Sequence, residues 1–336
     1  MTSKSKENQL AFLARLEQII PDNQKLSEVL AQNLGISIHG AYRRMNGKSD
    51  LSFEEAAILN EKYQVFPSAP KEDVAIPFSR RKIIRNLEDI KTNLGDMLMM
   101  MKAQLQFPDG RVYYSTKDIP VLYHFAYPDL AAFKVFTWLN SVGALNEENK
   151  HFRPEEFIDF FQDQWKGMMD SFSQIPGIEI WSEIAVLNFI RQLEYYFDAR
   201  LIRNKQTALN ICEQYKALFE VIEKQAVYNC KIHPNDPVKL TNIPYELYFN
   251  ELLVMENSAL LVQPERKIFF QSFAYFNFTT TTDPEFCDEM DFWFHAQIQK
   301  SINLSNTREK ERNQYFGKVQ QELTKLMDRI VKNDLY

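Results

Sequence analysis

Apolar residues recur at helical intervals through the first 65 positions of the chain. Leu10, Leu13, Leu16 and Ile19 return every three residues and predict a helix with one apolar stripe. Pro21 and Asp22 end it. Asn23 is placed to cap a second helix whose stripe is Leu26, Val29, Leu30 and Leu34. Gly35 then supplies the left-handed residue on which helices commonly stop. Ser37 caps a third, short helix ending near Gly47. Ser52 opens a fourth over FEEAAILNEKY, with Glu55 completing a capping box.

Past residue 65 the pattern changes. FPSAPKEDVAIPF, with Pro67, Pro70 and Pro77, reads as an extended linker. SRRKIIRNLEDIKTNLGDMLMMMK predicts one helix capped by Ser79. In it Ile83, Leu87, Ile90, Leu94, Met97 and Met101 step 4, 3, 4, 3, 4. Such a seam suits either a helix lying on the body of the protein or one paired with a second copy. FPDG, residues 107–110, is a turn signal that would join QLQF to RVYYS as a hairpin. Helices follow from Tyr127-Pro128-Asp129 through AAFKVFTWL, and at about 154–170, 181–200 and 205–228. YELYFNELLVM, ALLVQ and KIFFQSFAYFNF are rich in β-branched and aromatic residues, and QPER stands between the last two as a hairpin loop. They predict an antiparallel sheet of three or more strands. Helices from Pro284 to about Gln299 and from about Thr307 to Lys332 close the chain.

The fold class expected is therefore mainly α. Residues 1–66 form a helical bundle, and 67–104 a proline-rich linker and connecting helix. Residues 105–336 form a larger α+β domain with a small antiparallel sheet.

Charge localises the first bundle's role. The net charge is −6, but residues 1–86 hold 13 Lys/Arg against 10 Asp/Glu, whereas residues 87–336 hold 26 against 35. A polyanion-binding surface must then be local and lie in the first quarter. No stretch approaches 18 uninterrupted apolar residues, so no membrane span is expected. The N-terminal segment lacks the apolar core of a secretory signal. Cys212, Cys230 and Cys287 are odd in number and far apart, which argues against a disulfide framework and for the cytoplasm.

Enzyme signatures are missing. There is no phosphate-binding glycine loop, GxSxG, HExxH or paired CxxC. Cys230 and His233 form a CxxH fragment without the second pair that zinc requires. Asp288, Asp291 and His295 share one helix face, a solvated polar face unless a metal is bound there. Glu155 and Glu156 fit a first-turn dipole preference. No catalytic residue, metal or cofactor is predicted. Tyr113, Tyr114, Tyr123, Phe125, Phe133, Phe136 and Trp138 suit core packing or the lining of a ligand pocket.

Residues 25–65, KLSEVLAQNLGISIHGAYRRMNGKSDLSFEEAAILNEKYQV, resemble the lambda-repressor-like (Xre-type) helix-turn-helix family. The likeness runs through Leu30-Ala31, Leu34-Gly35, Ser37, Asn46-Gly47-Lys48 and Leu51-Ser52. Gly40 within the third helix, Arg44 at a position usually apolar, and Met45 at a position often acidic depart from the family pattern. The resemblance implies a bacterial transcription regulator that binds double-stranded DNA, and since one small reading head makes few base contacts, pairing into a homodimer is expected. Its third helix would enter the major groove, where Ile38, His39, Tyr42 and Arg43 reach base edges. Ser27, Ser37, Arg44 and Lys48 would meet phosphates. SRRKIIR, residues 79–85, is either a further phosphate contact or the solvated start of a helix. Residues 117–138 and 300–316 are similar to segments of long helix-turn-helix regulators whose C-terminal regions carry no assigned function. That part is expected to dimerise or to sense a small-molecule or protein effector. The alternative is an interaction protein whose bundle binds a protein partner.

Overall fold

The computed structural model describes residues 3–21, 24–63, 65, 76–80, 83–145, 150–274, 277–306 and 308–332. The chain divides into two compact units, Met1–Pro77 and Phe78–Tyr336. Most of the expected linker, 66–75, lies outside the described residues, as do Asp22, Asn23, Arg81, Lys82 and Thr307.

Four helices make the first unit: α1 (Ser3–Ile19), α2 (Leu26–Leu34), α3 (Ile38–Met45) and α4 (Phe53–Tyr63). Their shared core contains Phe12, Leu13, Leu16, Val29, Leu30, Ala41 and Leu59. Phe12, Leu13 and Leu16 of α1, with Ile20 just past its end, are buried, while Leu10 and Ile19 are 36% and 44% exposed. A strict three-residue step drifts around a helix of 3.6 residues per turn, so the ends of the expected stripe rotate into solvent.

The second unit is built on an eight-stranded mixed sheet, not a small antiparallel one. Its strands are β1 (Ser79–Arg80), β2 (Arg111–Thr116), β3 (Gly177–Trp181), β4 (Tyr245–Phe249), β5 (Ser258–Val262), β6 (Lys267–Ala274), β7 (Asn277–Thr281) and β8 (Ile302–Asn303). Their order is β1-β7-β6-β5-β2-β3-β4-β8. β2, β3 and β4 run parallel, and the other pairings are antiparallel. Helices supply the crossovers: α5 (Leu87–Gln104), α6 (Pro128–Ser141), α7 (Glu155–Phe172), α8 (Glu183–Asp198) and α9 (Lys205–Tyr228), followed late in the chain by α10 (Pro284–Gln299) and α11 (Glu309–Lys332). A short 3-10 helix, Val121–Ala126, precedes α6.

Three expectations change. Ser79 and Arg80 do not start a helix, because their backbone pairs with Thr280 and Thr279 of β7. Helix α5 begins later, where the Asn86 side chain accepts from the Asp89 N–H at 2.9 Å. QLQF and RVYYS form no hairpin. Gln104 ends α5, and β2 pairs instead with β3 and β5. YELYF is β4, separated from β5 by two strands that arrive from earlier in the sequence. The heptad-like seam of α5 lies on the second unit, with Ile90, Leu94 and Met101 in its core and α7 alongside.

Alternation along the strands separates the two faces of the sheet. Tyr113, Ile180, Leu260 and Phe269 pack against Cys287 and Phe294 of α10. Trp181, Tyr245 and Leu247 face the large core formed with the 3-10 helix, α5 to α9 and α11. Tyr123, Phe125, Phe133, Phe136 and Trp138 belong to that core.

One buried charged cluster sits within it. Glu179 on β3 and Lys231 just after α9 are 0% and 1% exposed, and Lys231 Nζ lies 3.3 Å from Glu179 Oε1. Tyr123 Oη donates to Oε1 at 2.7 Å, and Trp181 Nε1 donates to Oε2 at 2.9 Å. The ammonium also lies 3.9 Å from the Phe172 ring centre. Gly177 permits this approach, since a β-carbon there would stand 3.1 Å from Lys231 Cε. Burial lowers the Lys231 pKa, and Glu179 acts against that shift. Burial, then the Glu179 charge, pushes the Tyr123 hydroxyl well above its ordinary value.

Candidate nucleic-acid interface

The junction of α2 and α3 is fixed by its backbone. Gly35 adopts φ 63°, ψ 30°, and its N–H bonds the Ala31 carbonyl. Glycine takes this left-handed conformation without the penalty a β-carbon brings. Lys25 occupies the N-cap of α2 and makes no side-chain cap. Two residues beyond Gly35, the Ser37 hydroxyl accepts from the Gly40 N–H at 3.1 Å and so caps α3. Helix α3 ends at Met45, and the turn after it passes through Gly47, φ 62°, with the Lys48 N–H returning to the Arg43 carbonyl at 2.8 Å.

Within α3 the faces are distinct. Ala41 is fully buried and Met45 packs on the same core. On the outer side Ile38 and Tyr42 are 45% and 48% exposed, and His39 and Arg43 are exposed beside them. All four residues expected at base edges therefore lie on one solvent-facing surface of a single short helix. Residues three and four apart are neighbours on such a surface. Lys48 is exposed just past its end.

Two of the expected phosphate contacts are otherwise employed. Ser27 is 4% exposed, buried in the first turn of α2. Arg44 turns inward to Glu55 of α4, with Nη2 to Oε1 at 2.6 Å and Nε to Oε2 at 3.0 Å. This two-point guanidinium–carboxylate geometry is the strong form of the interaction. The pair neutralises the Arg44 charge inside the bundle. Ser37 keeps its capping role, which already engages its hydroxyl. Arg43 and Lys48 remain as the exposed cations of the α3 segment.

Glu55 carries two loads. Its Oε2 also accepts from the Ser52 N–H at 3.0 Å, while the Ser52 hydroxyl accepts from the Glu55 N–H at 3.1 Å, the reciprocal capping box. Burial pushes its carboxyl up, but the Arg44 hydrogen bonds, the Ser52 N–H and the Arg44 charge together leave its pKa below the ordinary glutamate value. A group with a depressed folded pKa stabilises above its unfolded pKa and loses that contribution as pH falls through the folded one. Glu55→Gln keeps the cap and removes the charge. The wild-type chain should unfold at higher denaturant than this variant near pH 6, with the gap closing below about pH 4. Equal midpoints at both pH values would show that the ion pair does not act on stability.

Gln9 completes the frame. It is 9% exposed; its Nε2 donates to the carbonyls of Arg44 and Ser49 at 2.9 and 2.8 Å, and its Oε1 accepts from the Leu51 N–H at 2.8 Å. A single α1 side chain thus ties together the end of α3 and the start of α4. Its signal in the sequence is a polar residue in register with the buried Phe12, Leu13 and Leu16.

Elsewhere, the face holding Asp288, Asp291 and His295 is occupied by a protein cation. Lys267 Nζ bridges Asp288 at 2.8 Å and Asp291. His233 pairs with Asp170 at 2.9 Å, away from any metal-like set. Among the described residues no group of three or more His, Cys, Asp or Glu is arranged to hold a metal ion, and no helix is long and apolar enough to cross a membrane. No family model, curated protein or solved structure matches the chain.

Proposed function

We propose that the protein is a sequence-specific DNA-binding transcription regulator of the lambda-repressor-like type. It acts as a homodimer, with the second unit serving for sensing or dimerisation. The supporting observation is the surface of α3. A helix held by a serine cap, a left-handed glycine and the Arg44–Glu55 pair presents Ile38, His39, Tyr42 and Arg43 together to solvent. A major groove about 12 Å wide admits one such helix. Arginine suits guanine and isoleucine suits the thymine methyl. Pairing two copies doubles the base contacts that one small bundle makes, at half-sites about one helical turn apart.

Selection from random duplex DNA with the full-length chain, at two salt concentrations, tests the reading. A palindromic motif should be enriched, and affinity for it should fall steeply with salt. Enrichment of no motif would overturn the proposal.

A protein-binding bundle is the second reading. It is favoured by Phe53, 89% exposed at the start of α4, and by the loss of Arg44 from the surface charge. It requires that the same selection return no motif.

A further inference from the structure

The sheet of the second unit is unevenly covered. On the face that carries Trp181 and Tyr245, the parallel strands β3 and β4 lie under helices. The antiparallel half does not close in the same way. Registers Val112↔Leu261, Tyr114↔Ala259, Ala259↔Phe270 and Ser272↔Phe278 place these residues on one face. There they border a cavity of about 710 Å³. Helix α5 also lines it, through Met97, Met100 and Met101. Methionine is flexible and polarisable, so a wall built from it adapts to different apolar shapes. The volume falls within the range of sites that enclose a drug-sized molecule.

The charged part of the lining is mostly cationic. Lys117, Asp118, Lys134 and Arg191 are the charged residues that border the cavity, three cations against one anion. Lys134, 4% exposed, bonds Asp118 at 2.9 Å, and Lys117 pairs with Glu256. Arg191 on α8 is exposed and has no ion-pair or hydrogen-bond partner among the described residues. One positive charge is thus left over at the mouth of an apolar chamber, in a part of the chain that is acidic overall.

We propose that this cavity binds a small amphipathic anion. The apolar body of the ligand lies between the methionines of α5 and the Leu261–Phe270 surface, and its acidic group meets Arg191. The proposal gives a ligand class to the sensing role suggested above. It relies on that role only for its biological meaning, because the binding itself involves no DNA.

The test uses the full-length chain, with 8-anilinonaphthalene-1-sulfonate as fluorescent probe and decanoate, decanol and decyltrimethylammonium as competitors. The probe should bind with one-to-one stoichiometry and be displaced by decanoate far better than by the cation. Arg191→Glu should weaken decanoate about 10-fold or more, the usual scale for one charge-assisted contact, and leave decanol unchanged. Ala259→Trp on the sheet and Met97→Trp on α5 should each abolish binding of both by filling the chamber. Circular dichroism and the unfolding midpoint verify that each variant is folded. Probe binding that survives both tryptophan variants, or a decanoate affinity indifferent to Arg191→Glu, would overturn the proposal. Failure here leaves the DNA selection untouched, and failure of that selection leaves this result standing.

Discussion

Glu179→Ala should cost the second unit about 3–5 kcal/mol of stability, the scale for stranding one partner of a buried ion pair. The substitution leaves the Lys231 ammonium, 1% exposed, without its counter-charge, and strips the acceptor from Tyr123 and Trp181 together. Against a total folding stability of roughly 5–15 kcal/mol, that is a large fraction. The cause is the stranded charge, not the intrinsic worth of the pair. Glu179→Gln combined with Lys231→Met should therefore lose much less than Glu179→Ala alone, since no net charge stays buried. Urea unfolding of the two variants and the wild type measures both quantities. A loss under about 1 kcal/mol for Glu179→Ala would mean that water reaches the cluster.

Arg43→Ala should change what the bundle reads without changing how it folds. The side chain is exposed and makes no side-chain hydrogen bond or ion pair among the described residues, so its removal should alter stability by no more than about 0.5 kcal/mol. If it contacts a base, affinity for the selected operator should drop by about 1–3 kcal/mol, and preference at one position per half-site should relax. Lys48→Ala should behave differently. It should weaken all sequences alike and lower the salt slope by about 1 for each site it leaves. Arg44→Ala should instead destabilise the bundle, because it strands Glu55. Fluorescence anisotropy on the selected site and on single-base variants distinguishes the three. If Arg43→Ala leaves affinity and base preference at wild-type levels, α3 is not presented to DNA in the register described.

The local signals in the sequence were informative wherever the deciding interaction is local. The Ser37 cap, the Gly35 turn, the Ser52–Glu55 box and the starts of α6 and α10 depend on residues one to four apart, and the sequence shows them directly. So does the β5–β6 hairpin around QPER. What was not visible depends on distant partners. β1 is two residues whose only strand character is their pairing with β7, about 200 positions away, so Ser79 carries the local signature of an ordinary helix cap. GIEIW gives β3 by pairing with β2 and β4, neither of them close in sequence. At the candidate interface, exposure followed from helical phase for Ile38, His39, Tyr42 and Arg43. Arg44 and Ser27 could not be placed that way. One depends on an acidic partner eleven residues on, the other on how tightly α2 packs. The lining of the cavity joins α5 to strands more than 150 residues later, and of the aromatic residues singled out from the sequence only Tyr114 borders it.

The strand order also bears on synthesis. β2 is complete at Thr116, yet its antiparallel neighbour β5 ends at Val262. At translation speeds of about 5–20 residues per second, one edge of β2 waits roughly 7–30 s for its partner to be made. Throughout that interval the nascent chain displays an unpaired strand edge along Val112, Tyr113 and Tyr114. Stalled or truncated products ending before residue 258 should accordingly depend on chaperones and aggregate readily, although all of α6 to α9 has by then been made.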